Sequence, residues 1–100
     1  MNCFDGKVVV ITGAGSGIGR ALAQQLAARR ARLALSDVNA QTLEETRESL
    51  AKGTQAIAYT LDVSSREAVF AHAEAVRRDF GTAHFLINNA GVTIVGTIAH

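Results

Sequence analysis

Residues 8–20, VVVITGAGSGIGR, carry a β-branched run into a loop where four of the seven positions from Gly13 to Gly19 are glycine, and then into a helix-forming stretch. Side chains are excluded where something must approach the main chain closely. A bare turn from a buried strand into a helix also presents unpaired amides beside the positive end of the helix dipole. That combination is an anion site, and phosphate or diphosphate is the expected anion. The spacing of the glycines narrows the choice. A Walker-type loop needs a lysine to reach the phosphates, and no lysine lies between Lys7 and Lys52. The pattern Gly-x-Gly-x-x-Gly fails as well, because the third glycine would fall on Ile18. What stands here is Thr12-Gly13-x-x-x-Gly17-x-Gly19.

Around that loop the chain alternates. Residues 7–12, 32–36, 55–60 and 84–88 are short runs, apolar on both faces, as strands are when helices cover both sides of a parallel sheet. Three helical stretches lie between them. In the first, Ile18, Ala21, Leu22, Gln25 and Leu26 are expected to share a face. The second is expected to start at Asn39 as N-cap, with Leu43 and Leu50 two turns apart. The third opens with Ser64 and Glu67 at capping-box spacing, continues through Val69, Ala73, Val76 and Phe80, and ends at Gly81. The alternation β-α-β-α-β-α-β predicts an open α/β sheet. One hundred residues suffice for one small domain; 48% apolar and 19% charged residues fit a globular chain with a core. The net charge of +1 gives no reason to expect nucleic acid or an anionic membrane as a partner. Cys3 is the only cysteine, so no intramolecular disulfide can form, and a reducing compartment fits. MNCFDGK is not a secretory signal, and no apolar segment nears the ~20 residues that span a bilayer. A cytoplasmic protein is expected.

The loop resembles the cofactor loop of the short-chain dehydrogenase/reductase family, whose signature is Thr-Gly-x-x-x-Gly-x-Gly. The resemblance extends along the chain, with Asp62-Val63 closing the third predicted strand and NNAG at residues 88–91 closing the fourth. It implies a Rossmann-type, doubly wound parallel sheet, of which residues 1–100 would form the N-terminal, dinucleotide-binding portion with strand order 3-2-1-4 and three helices. Gly13 would make the tight turn, Gly17 would let the diphosphate approach, and Gly19 would let the helix pack closely. Ser16 and Ile18 would add main-chain contacts. Asp62 would receive the adenine amino group, the Val63 backbone would meet the ring edge, and Asn89 would line the site, with Asn88 mainly structural.

Asp37 carries the choice of cofactor. It follows the second strand, 18 residues after Gly19, where an acid can accept hydrogen bonds from the adenosine ribose. The 2′-phosphate of NADP would face a like charge there, at a cost of about 1 kcal/mol in water and several times that near a protein surface. NAD is therefore expected over NADP. With Asn39 as cap, Asp37 is expected to be free for the sugar.

Among the histidines, His84 stands where the family commonly has aspartate and reads as structural, His72 reads as a helix histidine, and no metal-ligand spacing occurs. The family transfers hydride between nicotinamide and an alcohol or carbonyl carbon. A tyrosine serves as acid/base, its pKa lowered by a lysine four residues on, since a free phenol near ~10 is too weak an acid. The single tyrosine, Tyr59, is followed four places later by Val63, so no catalytic residue is assigned within this chain. The catalytic half is expected beyond residue 100, where the substrate pocket and the family's usual subunit interface would also lie. A fourth strand with an unpaired edge would follow, and these residues alone should be marginally stable and bind dinucleotide weakly. Two other readings compete: a non-catalytic dinucleotide-binding module, and a methyltransferase using S-adenosylmethionine, which leaves NNAG unexplained.

Overall fold

The computed structural model describes residues 4–88 and the backbone of 91–94. Its elements run β1 (Val8–Thr12), α1 (Gly17–Ala28), β2 (Arg32–Asp37), α2 (Ala40–Glu48), β3 (Ala56–Thr60), α3 (Arg66–Phe80), β4 (Phe85–Asn88) and β5 (Gly91–Ile94). The sheet order is β3-β2-β1-β4-β5, and the first four strands are mutually parallel. The expected order 3-2-1-4 and the three helices are therefore present.

The apolar runs read as strands because both of their faces are covered. In β1, Val9 and Ile11 join Leu33 and Leu35 of β2 under Ala23, Leu26 and Ala27 of α1 and Leu43 of α2. The alternate residues Val8 and Val10 join Ala34 under Val76 and Phe80 of α3. Side chains alternate across a strand, so a run apolar at every position fills two cores at once. Burial of each such side chain contributes about 1.5–3 kcal/mol.

Three expectations are corrected. The apolar stripe of α1 is Gly19, Ala23, Leu26 and Ala27; Ile18 is 75% exposed, and Ala21 and Gln25 are exposed too. Gly19, Ala23 and Ala27 are small and let this face lie close, with Leu26 the one large side chain on it. The cap of α3 is Ser65, whose hydroxyl accepts from the Ala68 amide at 3.2 Å, not Ser64. Ser64 is turned away to bond Asp62. Finally, the edge of β4 is not open. Beside it β5 runs antiparallel, with Phe85 opposite Ile94 and Asn88 opposite Gly91. The unpaired backbone groups of β4 are a template, and the β-branched segment Val92-Thr93-Ile94 follows close by in sequence.

Candidate cofactor site

Strands that run parallel end on one side of the sheet. The register Thr12–Ser36 and Asp37–Thr60 aligns the ends of β1, β2 and β3, and β4 follows through Ile11–Ile87. The glycine loop, Asp37 and Asp62-Val63 therefore emerge along one rim. Asn89 lies outside the described residues.

The loop leaves β1 through Gly13, whose φ of 65° is left-handed and suits glycine. Ser16 then caps α1. Its hydroxyl donates to the Gly13 carbonyl at 2.8 Å and accepts from the Gly19 amide at 3.3 Å. The amides of Gly17 and Ile18 occupy the first two helical positions, where no acceptor exists inside the helix. Both residues are exposed.

The glycines differ in what holds them. A Cβ on Gly19 would run into the Gly13 carbonyl oxygen and stand 2.9 Å from the Ala14 Cα, so helix and loop touch there. A Cβ on Gly15 would come 2.5 Å from Thr42 Oγ1 on α2. On Gly17 it would meet nothing within 4 Å among the described residues, and Gly17 has no left-handed φ. Packing and backbone conformation inside the protein thus require Gly19 and Gly15 to be bare, but not Gly17.

Asp37 is not free as expected. Its Oδ2 accepts from the Gly15 amide at 2.9 Å and its Oδ1 from the Asn39 amide at 3.0 Å. Asn39 caps α2 through its own side chain, accepting from Gln41 and Thr42. A carboxylate offers about four acceptor positions, so two backbone bonds leave room for two hydroxyl donors. The Asp37 carbonyl accepts from the Leu61 amide at 2.9 Å, which ties the third rim segment to the same residue. Beyond it, Asp62 Oδ1 accepts from both the amide and the hydroxyl of Ser64, at 2.9 and 2.6 Å. The Ser64 hydroxyl, then its amide, hold the Asp62 carboxyl below its ordinary value. Val63 is 65% exposed and borders an apolar cavity of about 350 Å³ under α3.

Two residues absent from the expected site hold the loop from behind. Thr46 on α2 is completely buried, and its hydroxyl donates to the Ala14 carbonyl at 2.8 Å. Arg20 Nε donates to Thr46 Oγ1 at 3.0 Å and its Nη2 to the Thr42 carbonyl at 3.1 Å. Gly15, within the loop itself, is also absent from the expected site. Thr46 and Ala14 are 32 residues apart, beyond the reach of a local motif.

Away from the rim, His84 Nδ1 accepts from the Val8 amide at 2.9 Å, a structural part as expected. Tyr59 donates to Asp79 at 2.7 Å and meets His72 edge to face. Burial, and then Asp79, push its phenol above the ordinary value near 10, which is the opposite of what an acid/base tyrosine needs. Among the described residues no cluster of three metal-ligating side chains occurs, and no helix is long and apolar enough to cross a membrane.

The chain is similar in sequence and fold to known proteins. The family model described as short chain dehydrogenase matches residues 7–100. SadH of Mycobacterium tuberculosis is 56% identical over 99 residues, a match covering 98% of this chain and 36% of that one. Crystalline NAD+-bound xylitol dehydrogenase superposes with a TM-score of 0.81 at 45% identity, over 84% of this chain and 33% of the other. L-sorbose reductase from Gluconobacter frateurii, solved with NADPH and L-sorbose, gives 0.83 at 40% identity, over 91% and 36%. The chain thus spans about a third of the length of the relatives it matches. With the glycine loop, the strand order and the aligned rim in place, the chain belongs to the short-chain dehydrogenase/reductase family.

Proposed function

We propose that residues 1–100 are the dinucleotide-binding portion of an NAD-dependent oxidoreductase that transfers hydride between nicotinamide and an alcohol or carbonyl substrate. The observation that carries this is Gly17. None of the described residues crowds it and no left-handed φ requires glycine, yet its bare face adjoins two helix-start amides. A diphosphate pressed against those amides would use the space a side chain would take. Asp37, tied to the loop through Gly15, would then hold the ribose hydroxyls, and Asp62 with the Val63 backbone would meet the adenine. Asn89 would line the nicotinamide side. Bound nicotinamide supplies the hydride chemistry; the residues of this chain bind and orient it.

Like charge at Asp37 supports NAD over NADP. The solved relatives include structures with NAD+ and with NADPH, so the preference rests on this chain's own residues. The catalytic tyrosine and lysine, the substrate pocket and a homo-oligomer interface are assigned to chain beyond residue 100. The lone cysteine fits a reducing compartment such as the cytoplasm.

Titration of the full-length protein with NAD, NADP and S-adenosylmethionine tests the reading. Binding of NAD, with NADP at least about tenfold weaker, is expected. Tighter binding of S-adenosylmethionine would overturn it. The reading frame after His100 separates enzyme from non-catalytic module: a downstream Tyr-x-x-x-Lys supports the enzyme, and its absence the module.

A further inference from the structure

We infer that Thr46 and Arg20 are positioning residues for the dinucleotide loop, holding one of its peptide planes in the cofactor-ready orientation from the second helix. The proposal rests on the dinucleotide reading above.

A peptide unit is planar and moves as one body. The unit joining Ala14 to Gly15 is held at both ends. Its carbonyl accepts from Thr46 Oγ1 at 2.8 Å, and its N–H donates to Asp37 Oδ2 at 2.9 Å. A flip of this plane would break both bonds and turn the carbonyl oxygen toward the carboxylate. The direction of the Thr46 proton is set as well. Arg20 can only donate, and its Nε reaches Thr46 Oγ1 at 3.0 Å, so the hydroxyl must send its own proton elsewhere. The Ala14 carbonyl at 2.8 Å is the nearer acceptor; the Thr42 carbonyl, at 3.2 Å, already takes Arg20 Nη2. A donor charge behind a hydroxyl strengthens the bond that the hydroxyl makes in turn. Arg20 is itself anchored, with Glu45 Oε1 at 3.3 Å from Nη2.

The plane so fixed lies two residues ahead of Gly17. Its orientation sets where the amides of Gly17 and Ile18 point before any ligand arrives. Burial alone would be served equally well by valine at position 46, which has the same shape. Among the described residues the hydroxyl's partners outside its own helix are the Ala14 carbonyl of the loop and Arg20.

Thr46→Val, Thr46→Ser and Arg20→Met in the full-length protein test the proposal, with cofactor affinity, initial rates, melting temperature and amide hydrogen exchange measured on each. Thr46→Val is expected to raise the NAD dissociation constant about five- to tenfold, on the scale of one lost hydrogen bond. The KM for NAD should rise in step while kcat holds within about twofold, as for binding that is uniform along the reaction. Thr46→Ser should restore affinity to within about twofold, and Arg20→Met should fall between the two. Without ligand, the Gly15 amide should exchange faster in Thr46→Val than in the parent. A lowered melting temperature with unchanged NAD affinity and unchanged Gly15 exchange would make Thr46 merely structural and overturn the inference. If the parent protein binds neither NAD nor NADP, the functional reading fails. Gly15 exchange then decides the positioning claim by itself, acceleration supporting it and no change overturning it. Should Thr46→Val fail to fold, Arg20→Met carries the same comparison.

Discussion

Gly17 and Asp37 are the residues on which the account turns, and they make different predictions. A Cβ on Gly17 meets nothing within 4 Å among the described residues and Gly17 is itself exposed, so Gly17→Leu should leave stability within about 0.5 kcal/mol. It should nonetheless weaken NAD binding at least about tenfold, because the new side chain would fill the place proposed for the diphosphate. Calorimetric titration beside a thermal melt separates the two effects; equal affinity in both proteins would remove Gly17 from the site. Asp37 has two tasks, since the carboxylate that would hold the ribose also receives the Gly15 and Asn39 amides. Asp37→Asn should therefore weaken NAD about tenfold without bringing NADP to the parent's NAD affinity. A clean exchange of preference in competitive titrations would contradict that double role. The roles of Gly13 and Gly19 in shaping the turn could be read in the sequence, because glycine spacing encodes local backbone geometry. Gly15, Arg20 and Thr46 could not. Their partners are 22 to 32 residues away, and nothing in the local pattern distinguishes a threonine that caps or faces water from one that holds a distant carbonyl.

At the scale of elements, the strands were legible because covered strands are apolar on both faces, while helix orientation was not. Ile18 reads in sequence as the start of a buried stripe, but it sits at the very beginning of α1, on the rim, and the face turned to the sheet is Gly19, Ala23, Leu26 and Ala27. The end of α1 is a second case. Arg30 adopts a φ of 67° as the residue after the helix cap, its amide donating to Ala27 and that of Ala31 to Leu26. This is the double bond pattern of a Schellman turn, whose left-handed position normally holds glycine. Left-handed geometry costs an L-residue roughly 1–2 kcal/mol, partly offset by the greater freedom glycine has when unfolded. Arg30→Gly should consequently stabilise by about 0.5–1 kcal/mol, read as a higher denaturant midpoint at unchanged slope. A lower midpoint would show that the arginine side chain stabilises this turn by more than its backbone strain costs. The cap of α3 shifted by one residue because Ser64 and Ser65 are chemically alike, and only Asp62, bonding Ser64, decides between them.

The whole molecule was legible as a parallel α/β sheet with its motifs on one rim, and the strand β5 along its edge was not, since strand pairing beyond β4 depends on which neighbours are present. The faces are unequally finished. Under α3 a cavity of about 350 Å³ is bordered by Val69, Val76 and Leu86, and Phe70 stands 66% exposed on the same helix. His72 Nε2 and Thr82 Oγ1 beside it are buried without partners among the described residues. Each such atom costs about 1–3 kcal/mol, so the 100 residues alone should melt broadly and bind NAD weakly. A sharp melt with micromolar affinity would contradict this. Acid should weaken them further. Burial lowers both His72 and His84 from their ordinary 6.5, with Lys7 and Arg32 adding to the effect at His84. The unfolded chain thus takes up protons first, and stability should be greatest above about pH 6.5 and decline as the pH falls through it. His84→Asn keeps an acceptor for the Val8 amide without titrating, and should make that decline shallower in denaturant curves taken between about pH 8 and 5.5. The central claim is that the main chain at the top of β1 receives a diphosphate while Asp37 holds its sugar. A crystal structure of the full-length protein with NAD tests it most directly. The account predicts diphosphate oxygens within hydrogen-bond distance of the Gly17 and Ile18 amides and ribose hydroxyls on Asp37; NAD bound elsewhere, or a ribose turned away from Asp37, would contradict it.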